Sequence, residues 1–82
     1  MLNKIAASAA RAVHGRDLPH LIAYSYDFDE AIRAIRLKAH FAVLPSEDEI
    51  EEVQDAETEV LADFGPSFST MTEIELVQDH AR

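Results

Sequence analysis

Residues 46–64, SEDEIEEVQDAETEVLADF, constrain the fold more than any other part of the chain. Ser46 followed three residues later by Glu49 is a capping box, the pair of side chains that closes the N-terminus of an α-helix. Gly65 and Pro66 come directly after the stretch, and this order of residues ends a helix. Nine of the side chains are acidic and none is basic. The stretch therefore predicts a bounded helix that forms against strong like-charge repulsion.

Packing of one face explains how this helix forms. On a helical wheel the apolar residues of the stretch share a stripe. Each of them contributes about 1.5–3 kcal/mol when fully buried, whereas each like-charge pair one turn apart costs only about 0.2–0.5 kcal/mol. Glu57 falls inside the stripe, and we expect it first of all to pair with a basic group of the same fold. The alternatives are that it reaches the rim of the packed face or that it lies at a subunit or partner interface. The stripe consists of Ile50, Val53, Val60, Leu61 and Phe64.

The outer face of the same helix is predicted to be a row of carboxylates. From Asp48 to Asp63 the row is about 22 Å long at 1.5 Å per residue. Single negative charges in a regular row resemble the phosphates of a nucleic-acid strand, and no lysine or arginine lies between residues 39 and 81. The simpler interpretation is a solvated face that maintains solubility. The predicted partner-binding residues are Asp48, Glu51, Glu52, Asp55, Glu59 and Asp63.

The rest of the chain favours further helices. Residues 2–14 read as an amphipathic helix with Gly15 as its stop. Residues 28–44 are predicted to form a helix that Pro45 ends. Thr70 with Glu73 offers a second capping box, which predicts a last helix over residues 71–81. The expected fold is an all-α domain of about four helices that spans residues 1–82.

Two segments leave an alternative open. Residues 21–26, LIAYSY, alternate as in a β-strand but are too short for the period to decide between strand and helix. A strand needs a partner, and only residues 68–76, FSTMTEIEL, alternate in a comparable way. The alternative fold is therefore a small α+β domain with a two-stranded sheet built from these two segments.

The predicted helix 28–44 has apolar residues on two sides. Such a helix is either central to its own domain or packs on a second chain as well. The second apolar side suggests a dimer interface formed by Leu37, Phe41 and Leu44. Arg33, Arg36 and His40 fill an edge between the two sides, from which they would neutralise acids of the neighbouring helix.

Overall charge narrows the class of partner. The net charge is −9 on 82 residues, so nucleic acids and anionic membranes would repel the chain. Basic protein surfaces are the favoured partners. No run of about 18 apolar residues occurs to span a membrane. The chain contains no cysteine, which excludes disulfides and fits a cytoplasmic location.

No pattern typical of catalysis or cofactor binding is present. His14, His20, His40 and His80 are scattered without metal-ligand spacing, and the two glycines build no phosphate-binding loop. We therefore expect a non-enzymatic protein without a metal or other cofactor.

In its size, acidity and lack of catalytic residues the chain resembles small inhibitors that mobile elements encode, such as DNA-mimicking anti-CRISPR proteins. This resemblance implies an inhibitor whose acidic helix docks on a basic, nucleic-acid-binding surface of a partner protein. Two other functions remain open. One is a helical homodimerisation or adaptor subunit, and the other is an antitoxin that neutralises a basic toxin.

Overall fold

The computed structural model describes residues 2–77 and shows an α+β domain of two helices and three strands. Helix α1 spans Leu2–Val13, strand β1 Leu21–Asp29, strand β2 Ala34–Phe41, helix α2 Glu47–Phe64 and strand β3 Ser69–Leu76. The predicted all-α bundle of four helices is therefore wrong. Neither helix of the described residues has the length and apolarity needed to cross a bilayer.

The three strands form one mixed sheet in the order β1–β2–β3. Strands β1 and β2 are an antiparallel hairpin, in which Tyr24 lies opposite Ala39. Strand β3 pairs with β2 in parallel, and Ile74 lies opposite the same Ala39. A parallel pair needs a crossover connection, and α2 supplies it. Strand β2 is therefore central, and β1 and β3 are the edges.

Residues 28–44 are not a helix, and in the part that forms β2 the buried apolar residues repeat every second position. Four side chains of β2 are 0–1% exposed, while the positions between them are polar or only half-buried. A helical wheel spreads these four side chains over two sides, whereas an extended strand brings them to one. The two apolar faces in the sequence were the result of the wrong period. The four side chains are Ile35, Leu37, Ala39 and Phe41.

The predicted C-terminal helix is also wrong over the described residues. Residues 71–76 belong to β3, and residues 78–81 of that prediction lie outside the described part of the chain. The hydroxyl of Thr70 caps no helix and instead donates to Glu57 at 3.0 Å. The alternative correctly expected strands near 21–26 and 68–76, but these strands do not pair with each other, because β2 lies between them.

Both predicted helix boundaries of α2 are confirmed. The Ser46 hydroxyl accepts the N–H of Glu49 at 3.1 Å, and the Glu49 carboxylate accepts the N–H of Ser46 at 3.1 Å. At the other end the N–H of Gly65 donates to the carbonyl of Leu61 at 2.9 Å, with φ of +88° at the glycine. That angle is accessible to glycine at little cost.

The two helices cover one face of the sheet and build the core with it. Ile5, Ala9 and Ala12 of α1 and Val53, Ala56 and Val60 of α2 are buried against the four buried side chains of β2. At one end of the core Phe68 packs between β1 and the end of α2. Its ring centroid lies 6.0 Å from that of Phe28 and 5.5 Å from that of Phe64. The opposite face of the sheet, called the open face below, carries no helix of the described chain.

Candidate protein-binding site

The acidic row of α2 is present, but part of it is neutralised within the domain. All six predicted binding residues lie on α2; Glu52 is partly buried and the other five are exposed. Arg16, in the connection after α1, binds Glu52 at 2.8 Å and also binds Glu59. The hydrogen bond with Glu52 is the largest cause of a raised pKa at Arg16.

Asp63 is held by α1 in the same way. It accepts hydrogen bonds from the Ser8 hydroxyl at 2.5 Å and from the Arg11 guanidinium at 2.9 Å. These bonds, the one from Ser8 first, lower the pKa of the Asp63 carboxyl. Three of the six carboxylates, those of Glu52, Glu59 and Asp63, therefore lie towards α1 and face cations of their own chain.

The other three carboxylates form the part of the row that is open to a partner. Asp48, Glu51 and Asp55 are exposed and make no ion pair within residues 2–77. We call these three residues the acidic patch. They follow one another at intervals of three and four residues, so they lie on one side of the helix. The patch is about 10 Å long at 1.5 Å per residue, less than half of the predicted row.

Glu57 finds a partner, although not the cation that was expected. Its only polar contact in the described chain is the Thr70 hydroxyl, at 3.0 Å. Burial of the Tyr24 hydroxyl, with a smaller contribution from the Glu57 charge, raises the pKa of Tyr24 to about 12. Glu57 therefore marks the side of α2 that lies over β3, opposite the side that contacts α1.

A second charged surface lies on the open face and was missed by sequence reasoning. The cations of β2 pair with acids on both neighbouring strands. Arg36 binds Asp27 of β1 at 2.8 Å. Lys38 lies 3.7 Å from Glu73 of β3. The bond from Arg36 lowers the pKa of Asp27. The sequence contains the pattern of this surface, since Arg36, Lys38 and His40 alternate with the buried residues of β2. A helical wheel does not place these three residues on one side.

His40 connects β1 and β3 across the open face. Its Nε2 lies 2.9 Å from the Ser25 hydroxyl, and its Nδ1 lies 2.7 Å from the Glu75 carboxylate. The same order of hydroxyl, imidazole and carboxylate occurs in catalytic sites, where they act as the nucleophile, the base and the acid that orients the base. However, Ser25 is exposed and the Glu75 side chain is 50% exposed. Water therefore reaches the group, and the low-dielectric enclosure that strengthens catalytic electrostatics is missing.

Buried Glu49 joins the start of β1 to the start of α2. Its side chain is 3% exposed and accepts from the N–H of His20 at 3.0 Å. The His20 Nδ1 lies 3.0 Å from the other carboxylate oxygen. Hydrogen bonding with the His20 side chain is the main cause that lowers the pKa of Glu49 to about 2. Within the described residues no cluster suited to a metal ion occurs.

The proposed dimer residues occupy two different environments. Leu37 and Phe41 are 1% and 0% exposed in the core of the monomer, so neither side chain is available to a second chain in this fold. Leu44 lies in the connection to α2 and is 79% exposed. Their grouping depended on the helix over 28–44 that the structure replaces with β2.

Comparison with known proteins identifies the family. A search of the curated proteins finds no match. The family model described as MafI2 immunity protein matches residues 3–82, which is nearly the whole chain. The chain therefore belongs to the MafI2 immunity protein family.

Proposed function

We propose that this protein neutralises a partner toxin by binding to it directly, and that the acidic patch makes contact with a basic surface of the toxin. The family supports a non-enzymatic immunity protein with a toxin as its partner. Of the functions considered from the sequence, the antitoxin is the one that this family favours. The lack of cysteine is compatible with binding in the cytoplasm, where we propose that the two proteins meet.

The acidic patch is proposed as the contact surface because of the exposure and the pairing of its three carboxylates. They are exposed on a helix that is capped at both ends, and they make no ion pair within residues 2–77. A partner cation therefore displaces no cation of the described chain when it binds there. The net charge of −9 adds long-range attraction to a basic toxin, which increases the association rate at low salt.

Mimicry of a nucleic acid has less support than neutralisation of a toxin. The predicted mimic needed the full acidic row, but Arg16 and Arg11 already bind Glu52, Glu59 and Asp63. Only the shorter patch remains for an outside groove. The family assignment concerns immunity and carries no indication of a nucleic-acid-binding partner.

Charge reversal with a matched control tests the contact. Glu51→Lys/Asp55→Lys reverses two of the three charges of the patch, whereas Asp17→Lys/Glu30→Lys makes the same change of net charge at exposed positions outside α2. The toxin is the protein that the chain captures from the producing cells and whose expression alone arrests growth. We expect the patch variant to associate at least tenfold more slowly at low salt and to lose protection of growth.

The control should change the association rate less than the patch variant does. It alters only the long-range electrostatic attraction and leaves the proposed contact in place. Circular dichroism spectra and melting temperatures of both variants report whether the fold is retained. Equal association rates for the two variants would refute the patch as the contact surface. Failure of the native chain to protect cells from the captured toxin would refute neutralisation itself.

A further inference from the structure

The outer edge of β3 has the features of a binding site for a further strand. Strand β3 is the last strand of the sheet, so within residues 2–77 one side of its backbone has no partner strand. We propose that this edge receives an extended, basic segment of the partner protein, which adds to the sheet as a fourth strand. The identity of the partner as the toxin rests on the proposed function.

Hydrogen bonds at the two ends of β3 show which backbone groups point outward. The N–H of Ser69 donates to the carbonyl of Arg33 at 3.0 Å, and the N–H of Val77 donates to the carbonyl of Phe41 at 2.8 Å. Because backbone groups alternate in direction along a strand, the odd-numbered residues face β2. The outward N–H and C=O groups therefore belong to Thr70, Thr72, Ile74 and Leu76.

The side chains along β3 define what this fourth strand should carry. On the open face Glu73 and Glu75 each contact one residue of β2, Lys38 at 3.7 Å and His40 at 2.7 Å. Their side chains are nevertheless 70% and 50% exposed, so each carboxylate can also contact a cation on the outer side of β3. Charge alternates across this face, from acids on β1 to cations on β2 and acids on β3, so a cation is the complementary next neighbour. On the helix side Ile74 and Leu76 are 42% and 39% exposed. A segment that alternates basic and apolar side chains therefore fits both faces.

A second copy of the chain is a poor occupant. Its two available edges are β1, with Asp27 and Asp29 on the open face, and β3, with Glu73 and Glu75. Either edge would add carboxylates to a surface that already carries two, and each copy has a net charge of −9. The edge of β1 is also interrupted by a register shift between Leu21 and Ala23, which disfavours regular pairing. The charges therefore indicate a basic partner that differs from this chain.

Two capped peptides test the edge without knowledge of the toxin. The basic peptide repeats Lys-Val four times, and the control repeats Glu-Val four times. We expect the basic peptide to bind at least tenfold more tightly, and to slow amide exchange at Thr70, Thr72, Ile74 and Leu76, measured by NMR. The odd-numbered amides of β3 already donate to β2 and should change little. Equal affinities, or binding that slows none of the four outward amides, would overturn the proposal.

Two substitutions of Ile74 distinguish the contribution of its backbone N–H to binding from that of its side chain. Ile74→Pro removes an outward N–H and leaves the bonds to β2 in place, as proline on an edge strand does. Ile74→Ala removes most of the side chain and keeps the N–H. We expect Ile74→Pro to bind the basic peptide at least tenfold more weakly than Ile74→Ala. Equal binding by the two folded variants would contradict strand addition.

Charge exchange provides a test that does not depend on whether the proline variant folds. Glu73→Lys/Glu75→Lys should reverse the preference, so that the Glu-Val peptide binds more tightly than the Lys-Val peptide. An unchanged preference would mean that the peptide recognises another surface, which would overturn the proposal.

The complex with the captured toxin separates this proposal from the proposed function. Slow exchange at the four outward amides in a neutralising complex would support both. A neutralising complex in which these amides exchange freely would overturn the docking site and leave toxin neutralisation intact. Peptide binding at the edge without any toxin binding would instead overturn the toxin as the occupant.

Discussion

The replacement of the predicted central helix by a hairpin has a direct consequence for two leucines. Leu37 and Leu44 are seven residues apart and would share one face of a helix. In the structure Leu37 is 1% exposed on β2, whereas Leu44 is 79% exposed in the following connection. The same substitution, Leu→Ala, removes the same atoms at both positions. We therefore expect very different losses of stability from Leu37→Ala and Leu44→Ala.

The magnitudes follow from burial. Leu→Ala in a packed core costs about 2–5 kcal/mol, and a surface change away from special features stays within about 0.5 kcal/mol. A domain of this length has a free energy of unfolding of about 4–12 kcal/mol at typical values per residue. Taking about 3 kcal/mol, Leu37→Ala should lower the melting temperature by about 12–24 °C. Leu44→Ala should lower it by no more than about 4 °C.

Urea denaturation followed by circular dichroism measures both free energies, with thermal melts at two protein concentrations as a check. The slope of the free energy against urea should stay the same, since it depends on the surface exposed on unfolding. Equal losses for the two variants would refute the assignment of Leu37 to the buried face of β2. A melting temperature that rises with concentration would show that association contributes to stability.

Two further predictions concern the carboxylates of α2. The folded-state pKa of Glu49 is about 2, below the ordinary 4.5, so its stabilising effect should be complete above pH 4.5 and be lost as pH falls from 4.5 towards 2. Melting temperatures from pH 7 to pH 2.5 should show a smaller acid-induced decrease for Glu49→Gln; an identical decrease would contradict the assignment. Arg16→Met should lower stability by about 1–2 kcal/mol in urea, yet should speed association with a basic toxin, because Glu52 and Glu59 are released. A slower association would contradict the role of Arg16 in masking these acids.

Helix α2 was predictable because its signals are local. The capping box of Ser46 and Glu49 and the Gly65 stop each involve residues within one turn, and both are present in the structure. The predicted packing stripe was only partly right: Val53 and Val60 are buried, whereas Ile50, Leu61 and Phe64 are partly buried. Depth of burial depends on how α2 lies on α1 and the sheet, which no local pattern contains.

Strand β2 was missed because two periods compete in one short segment. The helical wheel for 28–44 combines the end of β1, a turn and β2 into one element. The turn has few strong signals: residues 30–33, EAIR, contain neither glycine nor proline. Arg33 adopts φ of +52° there, a conformation that is uncommon for such a residue. The apolar side chains of β2 alternate clearly once the segment is divided at this turn.

The sequence predicted which carboxylates lie on the candidate site, but not which of them form ion pairs within the domain. The six carboxylates of α2 lie on the helix where they were expected, yet their neutralisation by Arg11 and Arg16 depends on how α1 packs beside α2. Arg16 is 36 residues from Glu52 in the sequence, and charge alone does not choose among nine acids. Their role in toxin binding stays a prediction.

The parallel pairing of β2 with β3 also determines the order in which the sheet can assemble. Strands β1 and β2 are joined by a four-residue turn, so they can meet early and locally. Ala34 pairs with Ser69, 35 residues away, and closing so long a loop costs entropy before any contact compensates for it. We therefore expect strand β3 to join last, after α2 has docked. A newly synthesised chain would form its proposed binding edge only at the end of folding. Only the fully folded domain would then bind the partner at this edge.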